Sequence, residues 1–294
     1  MATPRSTRLF AILARDASTA VIFRRGPSTH VLMIKWHLKT DKFEIGQWLK
    51  GRLYERRSDL SPSGELLIYF GAKYGSPLRS WTAISKPPFF TALAFWPNGS
   101  GWGGGGLFET EHSVKLDHFN SHSAVADGFS LKCGMQVTPF GPRSGFGEDG
   151  PVYHARLIRD GWTMISEGIA SKPDWNAQVA FTYDTPMIFE KTTKAGHRLR
   201  MLTRGVIQKN GAWYWIDYEV LARNGDLLAS LPRTEWADWH DGDLLFSQAG
   251  KLFRWSKGKI KAGLEANPNG PSLLADFSDL TFEPRIAPAW ASSW

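Results

Sequence analysis

Apolar residues recur along the chain in short runs closed by glycine, proline, asparagine or aspartate, a rhythm that predicts strands and turns. Residues 19–23 (Thr-Ala-Val-Ile-Phe) lead through Arg24, Arg25, Gly26, Pro27 and Ser28 into residues 30–36 (His-Val-Leu-Met-Ile-Lys-Trp). The β-branched enrichment and the Gly-Pro break predict a hairpin. Gly64 precedes the run 65–70 (Glu-Leu-Leu-Ile-Tyr-Phe), and residues 212–222 end at Asn224-Gly225 before a further apolar pair, Leu227-Leu228. Residues 9–14 (Leu-Phe-Ala-Ile-Leu-Ala) follow Arg5 and Arg8, as in a secretion signal. Six apolar residues fall short of the roughly 7–15 of a signal core, so a first strand is expected. Helical spacing is scarce, and residues 121–129 are the least strand-like, open to a short helix or a loop.

Internal similarity sharpens this all-β expectation. Residues 59–68 (Asp-Leu-Ser-Pro-Ser-Gly-Glu-Leu-Leu-Ile) align with residues 238–246 (Asp-Trp-His-Asp-Gly-Asp-Leu-Leu-Phe) after one deletion. A second echo pairs residues 80–85 (Ser-Trp-Thr-Ala-Ile-Ser) with 161–166 (Gly-Trp-Thr-Met-Ile-Ser) at a separation of 81, two units of about 40. Units of that size, each of about four strands, match β-propeller blades, which bury both faces only by packing on neighbours.

The phrase Asp59-Leu60-Ser61-Pro62-Ser63-Gly64, running on through Tyr69, resembles the aspartate, Ser-Pro, glycine, strand phrase of TolB-type and WD-like propeller blades, and the copy at 238–246 is similar. The resemblance covers about two dozen residues and implies a fold without an activity. It places a turn between two strands, with glycine taking a positive φ. The expected architecture is a single propeller domain over residues 1–294, with five, six or seven blades of about 59, 49 or 42 residues. The strand near residues 9–13 and the stretch 273–277 are expected to share one blade and close the ring.

Composition changes the picture in three places. Fourteen tryptophans are read as packing between blades. The lone Cys133 excludes an intramolecular disulfide and a zinc site of several thiolates; it suits a reducing, cytoplasmic compartment and reads as a buried packing residue. The net charge of +7 is concentrated in residues 1–57, with twelve Lys and Arg against four acids. That fifth of the chain, with Arg24, Arg25, Arg56 and Arg57, is the candidate surface for an anionic partner, including nucleic acid. Lysines covering strand edges are the structural alternative. No run of about 18 apolar residues occurs, so no membrane-spanning helix is expected.

Candidate chemistry is sparse. His112, His118 and His122 fall within eleven residues, and His118 and His122 would share a face of a helix, where Asp117 could join them on a divalent metal. No HExxH pattern accompanies them. Beyond that metal candidate no cofactor is expected. The run Gly99-Ser100-Gly101-Trp102-Gly103-Gly104-Gly105-Gly106 lacks the Lys-Ser/Thr of a phosphate-binding loop. Its flanking Trp96 and Trp102 are candidate contacts for a partner or a sugar, with interblade packing as the alternative. Asp217 and Glu219 alternate on one strand face, Asp238 and Asp241 flank a turn, and Asp160 precedes Gly161-Trp162. No such pair forms a recognisable glycosidase motif. Nucleophile motifs are absent. The expected function is therefore non-enzymatic: a scaffold or recognition protein presenting loops to a protein partner. A carbohydrate-active hydrolase with central acids is the alternative, and nucleic-acid contact through residues 1–57 comes third.

Overall fold

The computed structural model describes residues 7–119, 123–209, 211–260 and 270–294. Among the described residues twenty-one strands form five sheets. The first is a meander in the order β1 (Arg8–Leu13), β2 (Thr19–Arg25), β3 (His30–His37), β4 (Lys42–Lys50). The expected hairpin is β2/β3, antiparallel with Ile22 opposite Ile34, turning at Gly26. The second meander is β5 (Arg52–Leu60), β6 (Leu67–Lys73), β7 (Arg79–Ser85), β8 (Ala94–Pro97). The third sheet has three strands, β9 (Gly106–Thr110), β10 (Ser113–Leu116) and β11 (Gln136–Pro139), and β11 runs parallel to β10.

After the helix α1 (Gly150–Arg159) come β12 (Trp162–Ser166), β13 (Ile169–Ala170), β14 (Val179–Thr192), β15 (Arg198–Gln208), β16 (Tyr214–Leu221) and β17 (Leu227–Leu231). They form a six-stranded sheet ordered β12-β14-β15-β16-β17, with β13 beside β14. The last sheet is a meander of β18 (Trp236–His240), β19 (Asp243–Gln248), β20 (Lys251–Trp255) and β21 (Ser272–Asp276), with a short helix α2 (Lys257–Ile260) after β20.

The chain gathers into two compact units. One holds Phe10–Arg156 with Thr281–Trp294; the other holds Leu157–Leu280 with the residues up to Leu9. In the first unit the β5–β8 and β9–β11 sheets share a core of Leu66, Ile68, Ile84, Trp96, Phe108, Val114 and Leu116. Its C-terminal stretch is tied down by side chains: the amide of Gln47 donates to the Arg285 carbonyl, and Lys86 donates to the carbonyls of Trp290 and Ser293. In the second unit Phe246 stacks on Phe253 directly across β19/β20, at 5.1 Å between ring centroids.

The turn chemistry expected from the repeated phrase is present at both copies. Gly64 takes φ 77 between β5 and β6, and Asp241-Gly242 take φ 51 and 86 between β18 and β19, the two positive values of a type I′ hairpin. In each case the turn joins the first and second strands of its sheet. The 81-residue echo behaves otherwise. Residues 80–85 lie in β7, third in its sheet, whereas 162–166 form β12, at the edge of another. The echo therefore does not mark equivalent positions. Ring closure by a shared sheet is also corrected, because β1 belongs to the β1–β4 sheet and β21 to the β18–β21 sheet.

Seven tryptophans are buried: Trp36, Trp81, Trp96, Trp162, Trp236, Trp239 and Trp255. Cys133 is exposed, contrary to the packing role expected of it. No helix among the described residues is long and apolar enough to cross a membrane.

Candidate functional site

Strand β5 departs from ladder geometry where the sequence reads Glu55-Arg56-Arg57-Ser58. Tyr54 pairs with Phe70 and Asp59 with Ile68, so four residues of β5 oppose one of β6. Such an excursion frees backbone groups and re-aims side chains. Its carbonyls are recovered by Arg156 of α1, whose Nη1 donates to the carbonyls of Glu55 (3.2 Å) and Ser58. Arg156 is itself buried over the rings of Phe10 and Tyr153. The excursion delivers Arg57 beneath the glycine-rich segment that joins β8 to β9.

Arg57 is 1% exposed. Its Nε donates to Asp149 Oδ1 at 2.6 Å, and its Nη1 donates to the carbonyls of Gly101 (2.8 Å) and Gly103 (2.7 Å). The guanidinium lies over Tyr54 and Phe70, at 4.6 and 5.1 Å from their ring centroids. A buried cation is tolerated only when paired and hydrogen-bonded, and here both conditions are met. Asp149 also sits at the start of α1, its carbonyl accepting the amide of Tyr153.

The glycine segment is fixed along its length. Gly103 N donates to Gly147 O at 2.9 Å, Gly104 N to Asp117 O at 2.5 Å, and Gly105 N to Thr82 Oγ1 at 2.7 Å. The backbone passes so close to its floor that only glycine fits: a Cβ on Gly104 would stand 2.2 Å from the Phe70 ring, and one on Gly105 2.0 Å from Arg57 O. The run thus serves close packing instead of phosphate cradling. Asn98 supports its outer part, donating from Nδ2 to the carbonyls of Ser100 and Trp102.

Three large aromatics stand exposed around this fixed backbone. Trp102 and Phe146 each retain 58% of their surface and Tyr74 49%. The two loops that carry Trp102 and Phe146 are joined by the Gly103–Gly147 hydrogen bond. The Tyr74 hydroxyl bonds that of Tyr54 at 2.8 Å and lies beside Gly101. Burial pushes the Tyr54 phenol well above its ordinary range, and the Tyr74 bond adds to the shift.

The residues singled out in the sequence divide sharply. Trp96 is fully buried, donating Nε1 to the Ser123 carbonyl, so packing is its role. Trp102 alone of that pair is exposed. The arginines do not form a basic surface: Arg24 and Arg56 are buried, lying over Trp48 and Tyr153 at 5.6 and 4.4 Å, and Arg25 pairs with Glu55 at 2.5 Å. With Arg57 enclosed as well, none of these four arginines adds to an open basic surface, while Lys39, Lys42 and Lys50 stay exposed.

Asp117 and His118 follow β10 in a loop and not a helix, and both are buried. His118 Nε2 shares a 2.7 Å hydrogen bond with Thr82 Oγ1. Asp117 Oδ1 accepts the amide of Gly145, while Oδ2 is buried without a hydrogen-bond partner among the described residues. Burial raises the Asp117 pKa against the opposing pull of the Gly145 amide and Arg57. His122 lies outside the described residues. Among the described residues no group of three His, Cys, Asp or Glu is placed to hold a metal.

The candidate acids lie in the second unit. Asp238 pairs with Lys191 at 2.7 Å and accepts the Trp239 amide. Burial raises its pKa, Lys191 lowers it, and the charge of Asp160 adds a small rise. Asp160 pairs with Arg159 at 2.8 Å. Asp217 is held by Arg204 Nε, Trp215 Nε1 and the Arg233 amide.

Phe146, Tyr74 and Asp149 escape a motif search. One signal was available: Gly101-Trp102-Gly103 and Gly145-Phe146-Gly147 are the same pattern, an aromatic between two glycines. No protein-family model matches the chain, nor does any curated protein. Among solved structures it is similar to the β-propeller domain of the Trilobed protease from Pyrococcus furiosus, described as having an open velcro topology. The two share 8% identity over 86% of this chain and 83% of that one, with a TM-score of 0.27.

Proposed function

We propose that this chain is a non-enzymatic recognition or scaffold protein, and that Trp102, Phe146 and Tyr74 form the surface it offers to a protein partner. In this reading the five sheets are the blades of a propeller, and the glycine-rich segment is one of its presenting loops. The carrying observation is three exposed aromatics on a backbone that Arg57 and Asp149 hold fixed. Aromatic side chains dominate interface energetics, and fixing them before binding removes an ordering cost. The exposed lone thiol of Cys133 suits a reducing compartment, and we place the protein in the cytoplasm.

Replacing Trp102 by the photoreactive p-benzoylphenylalanine and irradiating cells tests this. Protein adducts are expected from position 102 and not from the equally exposed Trp175 of the other unit. Equal labelling from both positions, or none from 102, overturns the reading.

The second reading, a carbohydrate-active hydrolase, has its own observation: the charge of Asp160 reaches Asp238, and Trp162 and Trp239 lie beside Lys191, the partner of Asp238. Each carboxylate is already paired with a cation, which places the arrangement closer to an ion-pair network than to an acid and a nucleophile. Turnover of an aryl-glycoside panel that Asp238→Asn abolishes, without loss of stability, would establish this reading instead.

A further inference from the structure

No Asp or Glu occurs in the 43 residues between Glu65 and Glu109. That stretch supplies β6, β7, β8 and the glycine-rich loop, so one whole region of the first unit lacks its own negative charge. At one end of its sheet, Lys73 and Arg79 face each other directly across β6/β7. Both are exposed, and neither has an ion-pair partner among the described residues. Like charges opposite one another on adjacent strands repel, and an anion bound between them would relieve that repulsion. Other cations are matched, among them Lys115 with Glu109, Lys191 with Asp238, Arg200 with Glu190 and Arg254 with Asp243.

The same strand ends carry the exposed rim. Tyr74 follows Lys73, Leu78 precedes Arg79, and the amides of Asn98 and Gly99 bond the Ser80 carbonyl, bringing the Trp102 loop alongside. Arg52, at the start of β5, lies over the Tyr54 ring at 4.6 Å. Cations and apolar side chains therefore alternate over one end of the sheet.

We infer that this end, through Lys73, Arg79 and Arg52 beside Tyr74, Leu78 and Trp102, binds an acidic segment of the protein partner in which carboxylates alternate with apolar side chains. The inference rests on the binding reading above and gives that partner its chemistry. Charge complementarity selects an anion. The aliphatic Leu78, on which no base stacks, favours a peptide over single-stranded nucleic acid, whose stacking needs an aromatic at each step.

Fluorescence anisotropy on the full chain tests it with three probes: a labelled peptide alternating Glu with Leu or Phe, its Gln-for-Glu counterpart, and an oligothymidylate. The acidic peptide should bind roughly tenfold or more tightly than the Gln peptide and weaken as NaCl rises from about 50 to 300 mM. The double variant Lys73→Gln/Arg79→Gln should weaken it by roughly tenfold, while its thermal midpoint stays at or above the parent's, which excludes misfolding as the cause. Equal affinity for the Gln peptide, no effect of the double variant, or tighter binding of the oligothymidylate each overturns the inference. If neither peptide binds while position 102 still yields protein adducts, the acidic chemistry is wrong and the binding surface stands; loss of the adducts removes the surface itself.

Discussion

Replacing Arg57 with methionine removes the guanidinium but leaves a side chain that can still cover Tyr54 and Phe70. It strips three hydrogen bonds at once, those to Asp149, Gly101 and Gly103, and takes the guanidinium away from a carboxylate with only 13% side-chain exposure. Removing one partner of a buried ion pair costs about 3–5 kcal/mol. The two orphaned carbonyls keep the value near the top of that range, and the retained stem packing keeps it from going higher. Arg57→Met is therefore expected to lose about 4 kcal/mol in urea unfolding, and Asp149→Asn, which keeps a hydrogen-bond acceptor but leaves the buried guanidinium without its carboxylate, about 3 kcal/mol. Amide exchange gives the local readout: the N–H groups of Gly103, Gly104 and Gly105 should lose protection in the Arg57 variant. A loss below about 1 kcal/mol with those amides still protected would show that the loop holds itself, refuting the role given to Arg57.

Glu235 is the second test. Burial pushes its pKa from 4.5 up to about 7, against the amides of Ala249 and Leu9, the charge of Arg8 and the Ser247 hydroxyl. The folded chain thus keeps a proton that the unfolded chain releases, and stability falls as pH rises from 4.5 to 7, by about 3 kcal/mol in all. Glu235→Gln should flatten that part of the pH profile and be the more stable protein at pH 8; parallel profiles for the two would contradict the assignment. Glycine substitutions in the loop should differ by position. Gly104→Ala meets both a positive φ of 92 and the Phe70 ring, and should cost roughly 3 kcal/mol or more. Gly99→Ala, at φ 75 but with nothing within 4 Å, should cost about 1 kcal/mol by the same unfolding assay.

The sequence made the hairpins legible because their signals are local. The β2/β3 run, the Gly64 turn and the Asp241-Gly242 turn each state their conformation within a few residues. The 81-residue echo misled because Trp-Thr-x-Ile-Ser suits a strand in any position, and strand order is a non-local property. Helix α1 was missed for a different reason. Its buried Val152, Tyr153, Arg156 and Leu157 include an arginine that reads as solvent-facing, and only Pro151 near its start hinted at a helix. The same error hid the floor of the site. Arg56 and Arg57 look like surface charge until the β5 excursion and the facing aromatics turn them inward. Asp149, the partner of Arg57, lies 92 positions away, where no spacing rule reaches it. Trp96 and Trp102 are six residues apart, yet one fills a core and the other meets solvent.

The central claim is that the aromatic rim on the fixed glycine loop is where this chain meets a protein. Its most direct test is the affinity of a partner captured at position 102 for the variants Trp102→Ala and Trp175→Ala. Covering the exposed part of the Trp102 side chain is worth about 2–3 kcal/mol, or roughly a 30- to 150-fold change in Kd. The account expects that loss for Trp102→Ala and an unchanged Kd for Trp175→Ala; equal affinities for the two variants would contradict it.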